Sequence, residues 1–185
     1  MPVQTESISI PYTVSHRNIK HPRLEFNTGS LLVVLPGGQD EDRIIEKHRK
    51  WIERKYAYIY EITNKSPPLI LENRSREEFQ MLVKFLTKKY SGEVGCCPNR
   101  IIFRHLRTKW ASCSKKGNLT INYLAKYLPE SLIQYILYHE MVHLIHSHHD
   151  QLFWKYLNTK FNNIEEIEKN LCSYWVQINR INHLG

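Results

Sequence analysis

The sequence has no long apolar run and few cysteines, and both absences restrict the class of protein. No stretch approaches the ~18 consecutive apolar residues that a membrane-spanning helix needs. Only 4 of the 185 residues are cysteines, and two of these, Cys96 and Cys97, are adjacent, which is not the pattern of a disulfide framework. The opening residues MPVQTESISIPYTV lack the basic and apolar segments of a secretory signal. We therefore expect a cytoplasmic protein that binds no membrane.

Acidic residues are outnumbered by basic ones. There are 26 Lys and Arg against 18 Asp and Glu, which gives a formal net charge of +8. The basic residues are spread over HRNIK, KHRKWIERK, KFLTKKY and RHLRTK rather than gathered in one tail. Such a charge favours anionic partners, so nucleic acid is a candidate partner, and a solvated basic surface is the simpler alternative. The sequence does not indicate an oligomeric state.

The length and the 42% hydrophobic content suit one domain with a core of its own. We predict a single domain over residues 1–185, with an N-terminal β-rich part over 1–38 and a second part over 99–185. The local patterns predict strands at 7–13 and 22–35 with a hairpin turn at NTGS, then helices from Asp40 or Asp42 to about 62 and over 75–90. Two extended runs, over 100–114 and 118–128, are joined by a turn at 115–118. A helix from Pro129 through the histidines follows, and then two more helices broken near Asn162-Asn163.

Five of the ten histidines lie in ILYHEMVHLIHSHHDQLFW, residues 136–154, which contains an H-E-x-x-H motif at His139, Glu140 and His143. On a helix His139 and His143 lie about 40° apart on one face, so both can bind one Zn²⁺. Zinc lowers the pKa of a water, and Glu140 on the flank can take the proton as the water attacks a carbonyl. The helix is apolar on nearly all sides, so buried histidines there need a partner such as a metal.

The third ligand is a choice among the later histidines, because a catalytic zinc usually has three protein ligands. His146 would share the face of His139 if the helix continued, but three ligands along one straight helix cannot surround an ion tetrahedrally. A chain that leaves the helix near Ser147 and folds back favours His148 or His149. His149 follows His139 by ten residues, the spacing of zinc peptidases that bring their third histidine round a turn.

RTKWASCSKKGNLTINYLAKYLP followed by YHEMVHLIHSHHDQLFW resembles the YgjP-like metallopeptidase family, which is related in its active-site pattern to the SprT-like proteases. The resemblance covers most of the chain, and the segment 110–154 is its specific part. It implies an α+β fold: a zincin-like metallopeptidase domain with an N-terminal β-rich portion and a buried active-site helix. It implies that residues 99–185 form a zinc-binding core, with His139, His143 and His149 as Zn²⁺ ligands, Glu140 as general base and a protein or peptide as substrate.

Some positions depart from the family pattern. Ala111 replaces a usual glycine, which matters only if that position needs a positive φ. Gln134 stands where an aspartate is common, and losing an aspartate that orients a ligand would lower metal affinity. His148 stands where the family commonly has Asn, and we expect it to be exposed. Cys113 matches the family pattern, and we expect it to be a buried small side chain rather than a nucleophile or an alternative ligand.

Four further residues are candidates for contacting the substrate or supporting the site. Asn122 lies on the strand before the helix, which could pair with an extended substrate, and a half-buried strand residue is the alternative. His146, Tyr156 and Arg107 are candidates for stabilising the oxyanion that peptide hydrolysis produces. His146 could instead support a metal ligand.

The sequence therefore supports two hypotheses of different classes. The leading one is a zinc-dependent metallopeptidase that hydrolyses peptide bonds. The alternative is a basic, nucleic-acid-associated module in which the zinc site is structural or vestigial, and its binding should fall steeply as salt rises.

Overall fold

The computed structural model describes residues 2–4, 9–27, 30–65 and 69–183. Contacts between residues divide the chain into two units, the first made of Met1–Leu69 with Cys172–Gly185 and the second of Ile70–Leu171. The single domain predicted over 1–185 stays a prediction. The mixture of small sheets and helices is the α+β class expected from the sequence.

The N-terminal strands form a four-stranded sheet in the first unit. Their bounds are β1 Pro2–Gln4, β2 Ser9–His16, β3 Arg23–Asn27 and β4 Ser30–Leu35, in the order β1-β2-β4-β3. The β3–β4 hairpin is confirmed by the antiparallel pairing of Asn27 with Ser30. The central two residues of its predicted turn lie outside the described part of the chain, as do residues 5–8 before β2.

One long helix follows this sheet. Helix α1 runs from Glu41 to Lys65, and the Asp40 carboxylate accepts a hydrogen bond of 3.0 Å from the Asp42 N–H at its start, as expected for a capping residue. Apolar side chains of the strands and the helix form a shared core, whose buried members are Ile10, Leu31, Val33, Leu35, Ile45 and Ile52.

In the second unit, helix α2 spans Arg76–Val94 and ends at Gly95, whose φ of 74° is left-handed. Ser75 and Glu78 form a capping box at its start, because each side chain accepts a hydrogen bond from the other's backbone N–H. The helix predicted over 75–90 is therefore confirmed and is one turn longer. The buried side of α2 packs against the rest of this unit and includes Phe79, Val83, Leu86 and Tyr90.

A three-stranded sheet follows α2, with β5 at Arg100–Arg104, β6 at Ala111–Cys113 and β7 at Asn118–Asn122. The order is β5-β7-β6, with β5 parallel and β6 antiparallel to β7. The predicted unbroken run before the turn was wrong, since residues 105–110 leave the sheet. The second run was also predicted too long. Tyr123–Tyr127 is a 3-10 helix, because the Asn122 side chain accepts the Leu124 N–H and begins a turn.

Three helices complete the chain: α3 Glu130–Val142, α4 Gln151–Lys160 and α5 Ile164–His183. The expectation that α3 runs through the histidines was wrong. It ends at Val142, where the N–H groups of Ile145 and His146 both bond to the Val142 carbonyl in a tight turn. The predicted break between the last two helices is confirmed at Asn163, whose φ is 54°. Among the described residues, no helix is long and apolar enough to span a bilayer.

Candidate metal centre and cleft

Three histidine side chains meet where α3 ends. His139 lies in its last turn, His143 caps it, and His149 comes from the turn before α4. The Nε2 atom of His149 lies 3.2 Å from Nε2 of His139 and 3.1 Å from Nε2 of His143. Two nitrogens bound tetrahedrally to one zinc at 2.0–2.1 Å would be ~3.3 Å apart, so the three atoms fit one ion. In the described part of the chain, this is the one such cluster of His, Cys, Asp and Glu.

The tautomer of His143 is set by the turn that follows α3. Its Nδ1 lies 3.0 Å from the backbone carbonyl oxygen of His146. An Nδ1–H that donates to a carbonyl leaves the lone pair on Nε2, the atom that faces the other histidines. His146 therefore contributes its carbonyl, while its imidazole packs against the ring of Tyr156 with 5.4 Å between centroids.

Phe153 forms an apolar floor under the three histidines. Its side chain is fully buried, and its ring centroid lies 4.9, 4.7 and 4.5 Å from those of His139, His143 and His149. The Asp150 carboxylate accepts the Phe153 N–H at 2.9 Å and so fixes the first turn of α4. The ring therefore restricts the orientation of all three imidazoles.

Two of the three histidines are held in their neutral form. Burial, with the neighbouring His143 and His149, lowers the pKa of His139 to about 3. Burial and His143 also lower the pKa of His149. Because a neutral imidazole has a free lone pair and a protonated one does not, the site favours the form that binds a metal.

Glu140 lies beside the histidines on the adjacent flank of α3. Burial raises the pKa of its carboxyl group, and His143, the Cys113 backbone N–H and Lys109 act in the opposite direction. The carboxylate accepts a hydrogen bond from that N–H, which belongs to β6. A carboxylate with a raised pKa that is held in one place suits the gain and loss of a proton.

These groups line a cleft of about 860 Å³. One side is formed by β6 and the residues next to it, and another by the last two turns of α3. Glu168 and Leu171 of α5 also line the cleft, and the Tyr135 hydroxyl donates a hydrogen bond of 2.6 Å to Glu168. Residues of β6, α3 and α5 therefore line the cleft together with the three histidines.

The other predicted residues lie outside the cleft. His146, Tyr156 and Arg107 do not line it. His146 contacts the site through its backbone carbonyl, which accepts from His143, and this is the supporting role that was the alternative for it. Asn122 is fully buried, and its side-chain N–H groups donate to the Leu106 and Lys109 carbonyls at 2.9 and 2.8 Å. It is not available to a substrate, and it holds the connection between β5 and β6 instead.

The structure shows the surroundings of the other residues that the sequence singled out. The Gln134 side chain donates to Glu130 at 2.9 Å rather than to a ligand histidine. Cys113 is partly buried in the cleft wall, and burial raises the pKa of its thiol, so it is not poised as a thiolate. His148 is exposed, as expected, and lines the cleft.

Sequence reasoning missed the floor residue Phe153 and the pair of Tyr135 and Glu168. Phe153 could have been found from its position four residues after His149 at the start of a capped helix, which places it one turn above that ligand. No local signal marks Glu168, because its position depends on where α5 packs.

The chain is similar to known metallopeptidases. The family model described as the YgjP-like metallopeptidase domain matches residues 61–174. The metallopeptidase zymogen of Pyrococcus abyssi abylysin is 28% identical over 48% of this chain and 90% of that one, with a TM-score of 0.44. The zymogen of Methanocaldococcus jannaschii jannalysin is 25% identical over 57% and 94% of the two chains, with a TM-score of 0.43. A comparison with curated proteins found no match.

Proposed function

Because the chain belongs to the YgjP-like metallopeptidase family, we propose that it hydrolyses peptide bonds using a zinc ion held by His139, His143 and His149. The observation that carries the proposal is the convergence of three Nε2 atoms, at 3.1 and 3.2 Å, in a cleft that also holds the partly buried carboxylate of Glu140. A bound zinc ion would supply Lewis acidity, which makes a water molecule more acidic and polarises a carbonyl group. Neutral imidazoles with their lone pairs on Nε2 suit this ion.

In this proposal Glu140 moves the proton. Its carboxylate takes a proton from the attacking water and delivers it to the amine that leaves when the peptide bond breaks. The Cys113 N–H supports this role because it holds the carboxylate in one orientation without blocking the whole group. The raised pKa of Glu140 brings its proton affinity closer to that of the groups it serves.

The metal assignment is tested by measuring zinc per chain for the wild type, His149→Ala and His146→Ala. We expect about one zinc in the wild type and none in His149→Ala, since two remaining histidines hold zinc poorly. His146→Ala is the matched control and should keep its zinc, because only the backbone of that residue contacts a ligand. A wild type that takes up no zinc, or a His149→Ala chain that keeps it, would overturn the assignment.

The role of Glu140 is tested by Glu140→Gln. This variant should bind zinc like the wild type, while kcat/KM on a cleaved peptide falls by about 10²–10⁴-fold, the usual size of general acid–base catalysis. Unchanged turnover would remove the general-base role.

Nucleic-acid binding through the basic surface and a cytoplasmic location stay predictions. The first is checked by binding of single-stranded and duplex DNA over a range of salt concentrations, where steep loss of affinity with salt is the expected sign. Absence of binding even at low salt would contradict it.

A further inference from the structure

Strand β6 pairs with β7 along one edge, and its other edge borders the cleft. The Asn122 N–H bonds to the Trp110 carbonyl at 2.8 Å and the Ser114 N–H bonds to the Asn118 carbonyl at 2.9 Å. Backbone groups alternate in direction along an antiparallel strand, so those of Ala111 and Cys113 point away from β7. The Cys113 N–H meets Glu140 there, which shows that this edge adjoins the reacting centre.

Two lysines line the cleft at the two ends of this strand. Lys109 lies two residues before β6 and Lys115 two residues after it, and both are exposed and line the cleft. Neither forms an ion pair within the described ranges of the chain. The positive charge of Lys109 reaches Glu140, because it lowers the pKa of that carboxyl group.

The sequence around these lysines contains no counter-charge. Residues 94–129 include all three strands of the sheet, and this segment has no Asp or Glu. It has seven basic residues: Arg100, Arg104, Arg107, Lys109, Lys115, Lys116 and Lys126. The two carboxylates that line the cleft are already engaged, Glu140 by the Cys113 N–H and Glu168 by the Tyr135 hydroxyl.

We propose that the cleft selects peptide segments with Asp or Glu on both sides of the bond to be cleaved, held between Lys109 and Lys115. This inference rests on the proposed peptidase function. An extended segment beside β6 advances about 3.3 Å per residue, so acidic side chains within about three residues of the cleaved bond on either side can reach the two lysines. The net charge of +8 draws the same kind of segment towards the chain.

The test compares the zinc-loaded full chain on two peptides of about ten residues that share an apolar centre. One carries two Glu on each side of the centre and the other carries Gln at the same places. We expect kcat/KM to be about 3- to 10-fold higher for the Glu peptide at low salt, with the ratio approaching one as salt rises, since exposed ion pairs are weak and screened. In Lys109→Gln/Lys115→Gln the ratio should approach one at low salt as well.

Lys84→Gln/Lys88→Gln is the matched control. It removes the same charge from exposed positions of α2 that do not line the cleft, and it should keep the wild-type ratio. Equal loss of the ratio in both double variants would show that net charge alone acts, and it would overturn the inference. A wild-type ratio of one at low salt would overturn it as well.

Binding separates this inference from the peptidase function. The zinc-loaded Glu140→Gln chain should bind the Glu peptide about 3- to 10-fold more tightly than the Gln peptide, and only the Lys109→Gln/Lys115→Gln substitutions should remove the difference. If the wild type cleaves neither peptide but this binding preference is present, the peptidase proposal fails and the preference for acidic segments stands. If a single-stranded oligonucleotide of equal charge displaces the Glu peptide from these lysines at lower concentration, the occupant is a nucleic acid and the inference is overturned.

Discussion

Replacing Phe153 with leucine should weaken zinc binding, although Phe153 itself provides no ligand atom. The ring of Phe153 contacts all three imidazoles, with centroid distances of 4.5–4.9 Å. Without this floor each ring gains freedom in the metal-free chain, and immobilising it on binding costs about 0.5 kcal/mol. Three rings then cost about 1.5 kcal/mol, which corresponds to about a tenfold loss of zinc affinity.

The same substitution also lowers stability, so the experiment needs a control of equal size. Phe79 is as deeply buried as Phe153, and its ring packs against the ring of Phe103 rather than against a histidine. Each Phe→Leu change should lower the unfolding free energy of the metal-free chain by about 1–2 kcal/mol, measured by urea titration.

Zinc affinity then discriminates between the two variants. Competition with a chromogenic chelator should show the tenfold loss in Phe153→Leu and wild-type affinity in Phe79→Leu. If both variants bind zinc with the same affinity, the ring does not hold the imidazoles in place and the reasoning is refuted.

Two more predictions concern stability. Burial lowers the pKa of His139 to about 3, below its usual value, so the unfolded chain binds more protons on acidification and the metal-free chain should lose about 2 kcal/mol between pH 7 and pH 5 from this residue alone. Urea titrations at the two pH values check this, and equal stability would contradict it. Asn122→Ala should cost about 2–4 kcal/mol, because two backbone carbonyls lose their buried donors. A loss under about 0.5 kcal/mol in the same assay would show that water replaces the amide.

The elements that the sequence predicted well are those fixed by neighbouring residues. Helix α2 was predicted because apolar residues recur at helical spacing within 75–90, and the structure adds a capping box of Ser75 and Glu78 at its start. The β3–β4 hairpin likewise depends on a short turn between two β-type runs. The end of α3 could not be predicted in this way. Leu144 and Ile145 continue the apolar pattern, and the helix stops because the chain turns back towards His143.

In the candidate site, too, the residues that could be predicted are those whose positions depend on nearby sequence. The spacing of His139 and His143 places them on one helical face whatever the surroundings, so geometry alone brought them together. The turn alone left His148 and His149 open, and the ten-residue spacing from His139 together with the family resemblance favoured His149. The sequence left Asn122 open between contact with a substrate and a place in the strand, because its hydrogen bonds to Leu106 and Lys109 join segments 16 and 13 residues apart. Position on a strand cannot reveal such partners.

The early end of α3 has a consequence for how the metal would leave. Two of the three proposed ligands belong to α3 and its cap, while the exposed His149 belongs to the short non-helical segment before α4. Opening that segment removes one ligand without melting either helix, and such local openings need far less free energy than global unfolding. A chelator should therefore extract zinc at a rate unrelated to the rate of unfolding, and the emptied protein should refill without having to refold.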